Sequence, residues 1–164
     1  MFLMLDDNIP KRALPFLKAY PNGIWIDNIF NFKKIIPTKK WDIIFLDNDM
    51  PRKISYDRAM EENYEQSGWG AVNFLIQNPQ LSSQIKHIVI HTGNNYAGKR
   101  MYEELIKFRY NAKIININLI RDINFDIVSI WNIPQYLIDQ YTSRKSKKER
   151  NMLLCTIRLL NGEN

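Results

Sequence analysis

The stretch DIIFLDNDMP, residues Asp42 to Pro51, joins a short apolar run to a group of acidic residues. A run of this length, rich in Ile and Phe, favours a buried strand over a helix. Two other stretches have the same form: FLMLDDN at Phe2 to Asn8 and HIVIHTGN at His87 to Asn94. In each of them polar side chains follow directly where the strand is expected to end. The three stretches therefore predict strands of one sheet, each ending in residues suited to a functional site.

Short apolar runs alternate with helix-compatible segments through the first two thirds of the chain. Strands are predicted at 2–5, 23–26, 42–46, 87–90 and 113–117. The helical segment that starts after Ser67 has a residue suited to an N-cap. Strands that alternate with helices indicate βαβ units and a parallel sheet. We therefore predict an α/β fold, a doubly wound five-stranded parallel sheet of order 2-1-3-4-5.

The predicted α/β domain spans residues 1–118, and residues 119–164 are expected to form a C-terminal helical extension packed on the same domain. Two helices are predicted there, the first containing Trp131 and Ile133 and the second carrying Met152, Leu153, Ile157 and Leu160. The run SRKSKKER, Ser143 to Arg150, is densely basic. The simpler interpretation is a solvated helix start or connector, and the alternative is a salt-dependent contact with a nucleic-acid backbone.

Of the 164 residues, 45% are hydrophobic and 24% are charged, which is ordinary for a soluble globular protein. The formal net charge of +6 favours anionic partners such as nucleotides, RNA or DNA. We expect no membrane partner and no signal peptide, because no apolar run spans a bilayer and MFLMLDD lacks the signal pattern. Cys155 has no second cysteine to pair with. A cytoplasmic protein of a bacterium or a phage-infected host cell is expected, and its oligomeric state is left open.

The ends of strands 1, 3 and 4 would lie side by side in this sheet order. Several carboxylates so close together repel one another unless some are protonated or a cation lies between them. Oxygen ligands of this kind suit Mg²⁺ or Mn²⁺. The alternative is that each aspartate only caps a helix or turn. The carboxylates that could hold the metal ion are Asp6, Asp7, Asp47 and Asp49.

LDD at Leu5 to Asp7 and DIIFLDNDMP resemble a response-regulator receiver domain, which has an acidic pair after strand 1 and a D-x-x-M-P phosphoacceptor turn after strand 3. Thr92 matches the Thr or Ser that follows strand 4 in that family. A receiver also has a Lys at the end of strand 5. This chain has ININ there, with Lys113 at the start of the strand.

A closer resemblance is to the cyclic-phosphate processing receiver domains, and it covers about the first 115 residues. LDDN at 5–8, LDNDM at 46–50, SGWGAVNFL at 67–75 and HTGNNYAGKRM at 91–101 match the motifs of that family in order. One position departs from the family pattern, since Asn48 replaces a His between the two strand-3 carboxylates. The residues that keep the spacing of the last motif are His91, Thr92, Asn94, Gly98 and Met101.

The resemblance implies a phosphoesterase, dependent on Mg²⁺ or Mn²⁺, that acts on cyclic or terminal phosphates of nucleotides or RNA ends. In such an enzyme Asp49 would be a further ligand or the base that orients water, and His91 would protonate the leaving oxygen. The N-terminus of the helix after Asn94 would add backbone N–H groups for a phosphate. The implied residues are His91, Asp47 and Asp49 for catalysis, Thr92, Asn94, Asn48, Lys99 and Arg100 for the substrate, and Asp6, Asp7, Asp47 and Asp49 for the metal.

Two other functions fit the same residues. A signalling receiver would be phosphorylated on Asp47, which the D-x-x-M-P turn favours and the missing strand-5 Lys opposes. A non-catalytic nucleotide or RNA binder would explain Asn48 and the basic run at 143–150. His91 could also be a hydrogen-bonded structural residue at the end of a strand.

Overall fold

The computed structural model describes residues 1–48, 67–127, 131, 133–143 and 146–160. All neighbouring strands of its five-stranded sheet pair in parallel, in the order β2-β1-β3-β4-β5. This confirms the predicted doubly wound α/β fold. The strands are β1 (Phe2–Leu5), β2 (Ile24–Ile26), β3 (Trp41–Leu46), β4 (Ile85–Ile90) and β5 (Ala112–Ile114).

Helical segments connect the strands, and three of them begin at an asparagine or serine cap. The side chains of Asn28, Ser67 and Asn94 accept backbone N–H bonds from the first turn of their helices, which satisfies donors that the helix leaves unpaired. The helices are α1 (Leu14–Ala19) after a π-helical turn (Ile9–Ala13), α2 (Ile29–Ile35), α3 (Gly68–Gln77) and α4 (Asn95–Lys107). Short 3₁₀ segments follow α2 at Ile36–Thr38 and α3 at Pro79–Gln84.

The core lies on the central strands of the sheet. In β3 the side chains of Ile44, Phe45 and Leu46 are fully buried, and so are Leu3 to Leu5 in β1. Consecutive side chains of a strand point to opposite faces, so burial of neighbours means that both faces are covered. This explains why the central strands appear in the sequence as continuous apolar runs. Each central strand ends where the first polar side chains follow its apolar run.

Residues Ile115–Asn164 form a compact unit of their own, distinct from Met1–Ile114. The prediction that the first of two helices contains Trp131 and Ile133 is wrong, because both residues lie outside helices. The second predicted helix is confirmed, since its residues lie in the helix Lys147–Leu160. Asn116 accepts the N–H of Asn118 and starts a helix directly after β5, so that strand is also shorter than predicted. The described helices of this unit are α5 (Ile117–Asp122), α6 (Gln135–Ser143) and α7 (Lys147–Leu160).

The described part of the basic run forms the start of α7. The hydroxyl of Ser146 accepts the N–H of Glu149 at 3.2 Å, and the Glu149 carboxylate accepts the N–H of Ser146 at 3.3 Å. This reciprocal pair is a capping box. A contact of the run with nucleic acid stays a prediction, as does the packing of the C-terminal helices on the first unit.

Within the described ranges, no helix combines the length and the apolar character needed to cross a membrane.

Candidate functional site

The carboxyl ends of β1, β3 and β4 meet at one edge of the sheet. Leu5 pairs with Leu46, and Leu46 pairs with Ile90. The next residues continue the ladder, since the Asp47 N–H donates to the Leu5 carbonyl and the His91 N–H donates to the Leu46 carbonyl, both at 3.0 Å. The sheet thus brings together side chains that are far apart in the sequence.

Three aspartates form an acidic cluster at this edge: Asp6, Asp7 and Asp47. One carboxylate oxygen of each lies within 4.8 Å of the others. Asp6 and Asp47 are almost completely buried, and Asp7 is partly exposed. Hard divalent cations take oxygen ligands in such groups, and Mg²⁺ keeps part of its water shell on the open side. The acidic cluster could therefore hold a divalent cation.

Arg12, which the sequence analysis did not select, lies between the two buried carboxylates. Its Nη1 is 3.0 Å from Oδ2 of Asp6 and 2.5 Å from Oδ2 of Asp47. Burial alone would lower the pKa of the guanidinium, but the negative charges of Asp47 and Asp6 raise it. The π-helical turn Ile9–Ala13 brings Arg12 back to the strand end six residues after Asp6. A basic residue shortly after the acidic pair was the available signal.

The backbone around Asp6 holds its carboxylate in place. Oδ1 of Asp6 accepts the N–H of Asn8 at 2.7 Å, so Oδ2 is the oxygen that faces Arg12. The indole N–H of Trp25 donates to the Asp6 carbonyl at 2.6 Å. Burial raises the pKa of Asp6 to about 6, and the charge of Asp47 adds to this effect. A bound cation would lower this pKa again, because a nearby positive charge favours the ionised form.

His91 lies beside the cluster and is fully enclosed, with 1% of its surface exposed. Its Nδ1 is 3.7 Å from Oδ2 of Asp6, which is too long for a hydrogen bond. Neither ring nitrogen has a hydrogen-bond partner among the described residues. Burial lowers the pKa of His91 to about 3, and the Arg12 charge lowers it further. The imidazole is therefore neutral near pH 7, which favours a hydrogen-bonding role over the proton transfer that the resemblance implies.

Thr92 and Asn94 shape the start of α4. Oγ1 of Thr92 accepts the N–H of Asn94, and Oδ1 of Asn94 accepts the N–H of Ala97, both at 3.0 Å. Both side chains thus contribute to the turn and the cap. Their predicted contact with substrate stays a prediction.

Two glycines let helices approach the strand ends closely. A Cβ on Gly68, at the start of α3, would lie 2.1 Å from the carbonyl oxygen of Asp47. A Cβ on Gly98, in α4, would lie 2.8 Å from Cγ2 of Thr92. A side chain at either position would push the helix away from a residue of the site.

The remaining predicted site residues have other surroundings. The carbonyl of Asn48 accepts the N–H of Gly68 at 3.4 Å. Lys99 lies 3.9 Å from a Glu103 carboxylate oxygen one turn along α4, and the Arg100 guanidinium lies 5.1 Å from the centre of the Trp69 ring. Their roles at a substrate stay predictions. Asp49, together with Met50 and Pro51, lies outside the described residues.

Comparison with known proteins identifies the family. The family model described as Cyclic-phosphate processing Receiver domain matches residues 1–107. The chain belongs to this family. A search of curated proteins finds no match to it. The match includes β1 to β4, α4 and every described residue of the site. The chain is thus a cyclic-phosphate processing receiver domain with an acidic cluster that could bind a metal ion.

Proposed function

We propose that the chain is a divalent-metal-dependent phosphoesterase that acts on cyclic or terminal phosphates of nucleotides or RNA ends. The observation that carries this proposal is the acidic cluster beside a buried His91, at the strand ends of a cyclic-phosphate processing receiver domain. The net charge of +6 suits an anionic substrate.

The residues present fit Mg²⁺ or Mn²⁺. All three ligand atoms are carboxylate oxygens, which these ions prefer. Asp7 is partly exposed, so an ion bound here could keep water ligands on the solvent side. Asp6, Asp7 and Asp47 would hold the ion. A bound divalent cation polarises a phosphoryl oxygen and lowers the pKa of its water.

The protein side chains would position the phosphate. The neutral imidazole of His91 lies next to the acidic cluster, and the first turn of α4 begins at Asn95, four residues further along the chain. A neutral imidazole donates one N–H, and a helix N-terminus offers backbone N–H groups and a favourable dipole to an anion. His91 would thus hydrogen-bond a phosphoryl or leaving oxygen. In this proposal Asp49 orients the attacking water.

The proposal is tested with a substrate panel of 2′,3′-cyclic nucleotides, cyclic dinucleotides and RNAs with cyclic or terminal phosphates, each with Mg²⁺, Mn²⁺ or a chelator. We expect metal-dependent turnover of at least one of them, lost with the chelator. Asp47→Asn should reduce kcat/KM by about a hundredfold or more, since it removes a ligand carboxylate. Asp42→Asn is the matched control, because this exposed carboxylate lies near the amino end of the same strand. Absence of turnover across the panel, or equal activity of Asp47→Asn and wild type, would contradict the proposal.

A signalling receiver phosphorylated on Asp47 is the second candidate, and one observation favours it. Asp47 follows β3 directly and lies next to the acidic pair after β1, as a phosphoacceptor would. Lys113 lies inside β5 and not at its carboxyl end, which speaks against it. Incubation with acetyl phosphate and Mg²⁺ should then add one phosphoryl group by intact mass to the wild type and none to Asp47→Asn. Nucleotide binding without phosphorylation or turnover would instead indicate a non-catalytic binder.

A further inference from the structure

We propose that Arg12 is an internal counter-cation that competes with the divalent metal ion for Asp6 and Asp47, so that metal binding requires the guanidinium to leave. This inference rests on the metal site of the proposed function. It assigns a role to a residue outside the family motifs found in the sequence.

The contacts of Arg12 use the same oxygens that a metal ion needs. A single nitrogen, Nη1, contacts Oδ2 of both carboxylates. Oδ1 of Asp6 is already bonded to the backbone N–H of Asn8, so Oδ2 is the oxygen that Asp6 can offer. Mg²⁺ binds oxygen at about 2.1 Å. An ion at that distance from both oxygens would share them with the guanidinium nitrogen, so the two cations compete for the same ligand atoms.

Charge makes the competition stronger. A divalent ion placed beside the guanidinium would be repelled by it, and the repulsion is weakly screened where Asp6 and Asp47 are 0% and 1% exposed. The Arg12 side chain is 21% exposed, so part of it already reaches solvent. Rotation about its side-chain bonds can therefore move the guanidinium outward while the carboxylates stay in place.

His91 supplies independent evidence that this edge is built for a ligand. Buried polar groups are nearly always hydrogen-bonded, yet both ring nitrogens of this buried imidazole lack a partner in the part of the chain that the structure describes. The ring lies against Asp6 on the side of the cluster. A ligand that displaces Arg12 would also lie within reach of this ring.

The affinity for Mg²⁺ and for Mn²⁺ is measured by isothermal titration calorimetry on the full chain, for wild type, Arg12→Gln and Arg12→Ala. We expect Kd to fall by about tenfold or more in both variants, which corresponds to about 1.4 kcal/mol. Lys11→Gln is the matched control: it makes the same change in net charge at the neighbouring, exposed position. Its Kd should stay within about twofold of wild type, since exposed charges are screened.

Equal Kd values for wild type and Arg12→Gln would overturn the inference, and so would an equal shift in Lys11→Gln. If the Arg12 variants fail to fold, the wild type still gives an answer. The side-chain N–H signals of ¹⁵N,¹³C-labelled arginines are followed during a Mg²⁺ titration, with the Arg12 signal assigned beforehand by through-bond correlation to its own backbone N–H. An Arg12 signal unchanged at saturating Mg²⁺ would overturn the inference.

The outcomes separate this inference from the proposed function. Metal binding that tightens in Arg12→Gln, without turnover of any substrate, supports the inference and contradicts the phosphoesterase. Metal-dependent turnover with an unchanged Kd does the reverse. Absence of metal binding in both wild type and Arg12→Gln contradicts both.

Discussion

At the scale of single residues, Gly68 controls how closely α3 approaches the turn that carries Asp47. A Cβ there would lie 2.1 Å from the Asp47 carbonyl oxygen and 2.9 Å from Cα of Asn48. The requirement is for space, because the backbone of Gly68 is not in the left-handed region. The position of Asp47, a proposed metal ligand, thus depends on the lack of a side chain at Gly68.

Replacing Gly68 with Ala should destabilise the protein. Helix propensity alone would favour Ala by up to about 1 kcal/mol, whereas crowding against backbone costs about 1–3 kcal/mol. We therefore expect a lower free energy of unfolding in urea and a weaker Mg²⁺ affinity, because Asp47 must move. Helix propensity and crowding change the free energy of unfolding in opposite directions, so its sign shows which effect is larger. A free energy of unfolding equal to or higher than that of wild type would contradict the close contact.

His91 shows what can and cannot be predicted at this scale. Its place at a strand end was predictable, because the apolar run of β4 stops there. Its lowered pKa was not predictable, because it results mainly from burial, which depends on the tertiary structure. The ordinary pKa of about 6.5 suggested an acid, and the enclosed ring is neutral instead.

At the scale of elements, the start of α4 combines a structural and a proposed binding role. Asn94 caps the helix through Oδ1, and Thr92 supports the turn before it. Asn is among the preferred N-cap residues, and Asp is equally suited to that position. Substitutions at Asn94 can therefore separate the two roles.

Asn94→Ala should lower the free energy of unfolding by about 1 kcal/mol, the usual cost of a lost N-cap. Asn94→Asp should keep the stability within about 0.5 kcal/mol, because it retains the acceptor and suits the helix dipole. The added negative charge should nevertheless weaken binding of a 2′,3′-cyclic nucleotide, measured by calorimetry. Unchanged affinity in Asn94→Asp would show that Asn94 lies away from the phosphate and is a cap only.

Element boundaries were predictable where apolar runs were continuous and less so elsewhere. β4 begins at Ile85, two residues before its predicted start at His87. Nδ1 of the His87 ring lies 3.0 Å from Nδ2 of Asn111. Pairing with β3 extends the strand from Ile85 through the polar residues before Ile88. In the C-terminal unit, the side chain of Asn116 caps a helix directly after β5, and α6 begins at Gln135, immediately after Pro134.

At the scale of the whole molecule, Tyr110 connects the end of α3 with the segment between α4 and β5. Its hydroxyl donates to the carbonyl of Leu75 at 2.9 Å and lies 3.2 Å from that of Asn78. The preceding Arg109 has a φ of 64°, which turns the chain back toward the sheet after α4. Burial raises the pKa of Tyr110 to about 12.

This raised pKa predicts a loss of stability at alkaline pH. Below pH 10 the phenol is protonated in both the folded and the unfolded state, and its stabilisation is fully present. Between pH 10 and 12 the unfolded chain releases the proton first, so up to about 3 kcal/mol is lost across that window. Urea denaturation of wild type and Tyr110→Phe at pH 8 and pH 11 measures it.

Tyr110→Phe should be less stable at pH 8 by about 1 kcal/mol, the usual value of a lost hydrogen bond. The gap to wild type should close or reverse at pH 11, since Phe does not titrate. A gap of constant size at the two pH values would contradict the assignment of the raised pKa to Tyr110.

The sequence by itself determined the central strands β1, β3 and β4 and where they end, because buried parallel strands need continuous apolar runs that stop at the first polar residues. It thereby identified Asp6, Asp7, Asp47 and His91 as neighbours. Only the tertiary structure decided that Arg12 bridges the two buried carboxylates, since Arg12 and Asp47 are 35 residues apart in the chain. The burial that keeps His91 neutral has the same origin. Both depend on distances that folding creates between elements that are separate in the sequence.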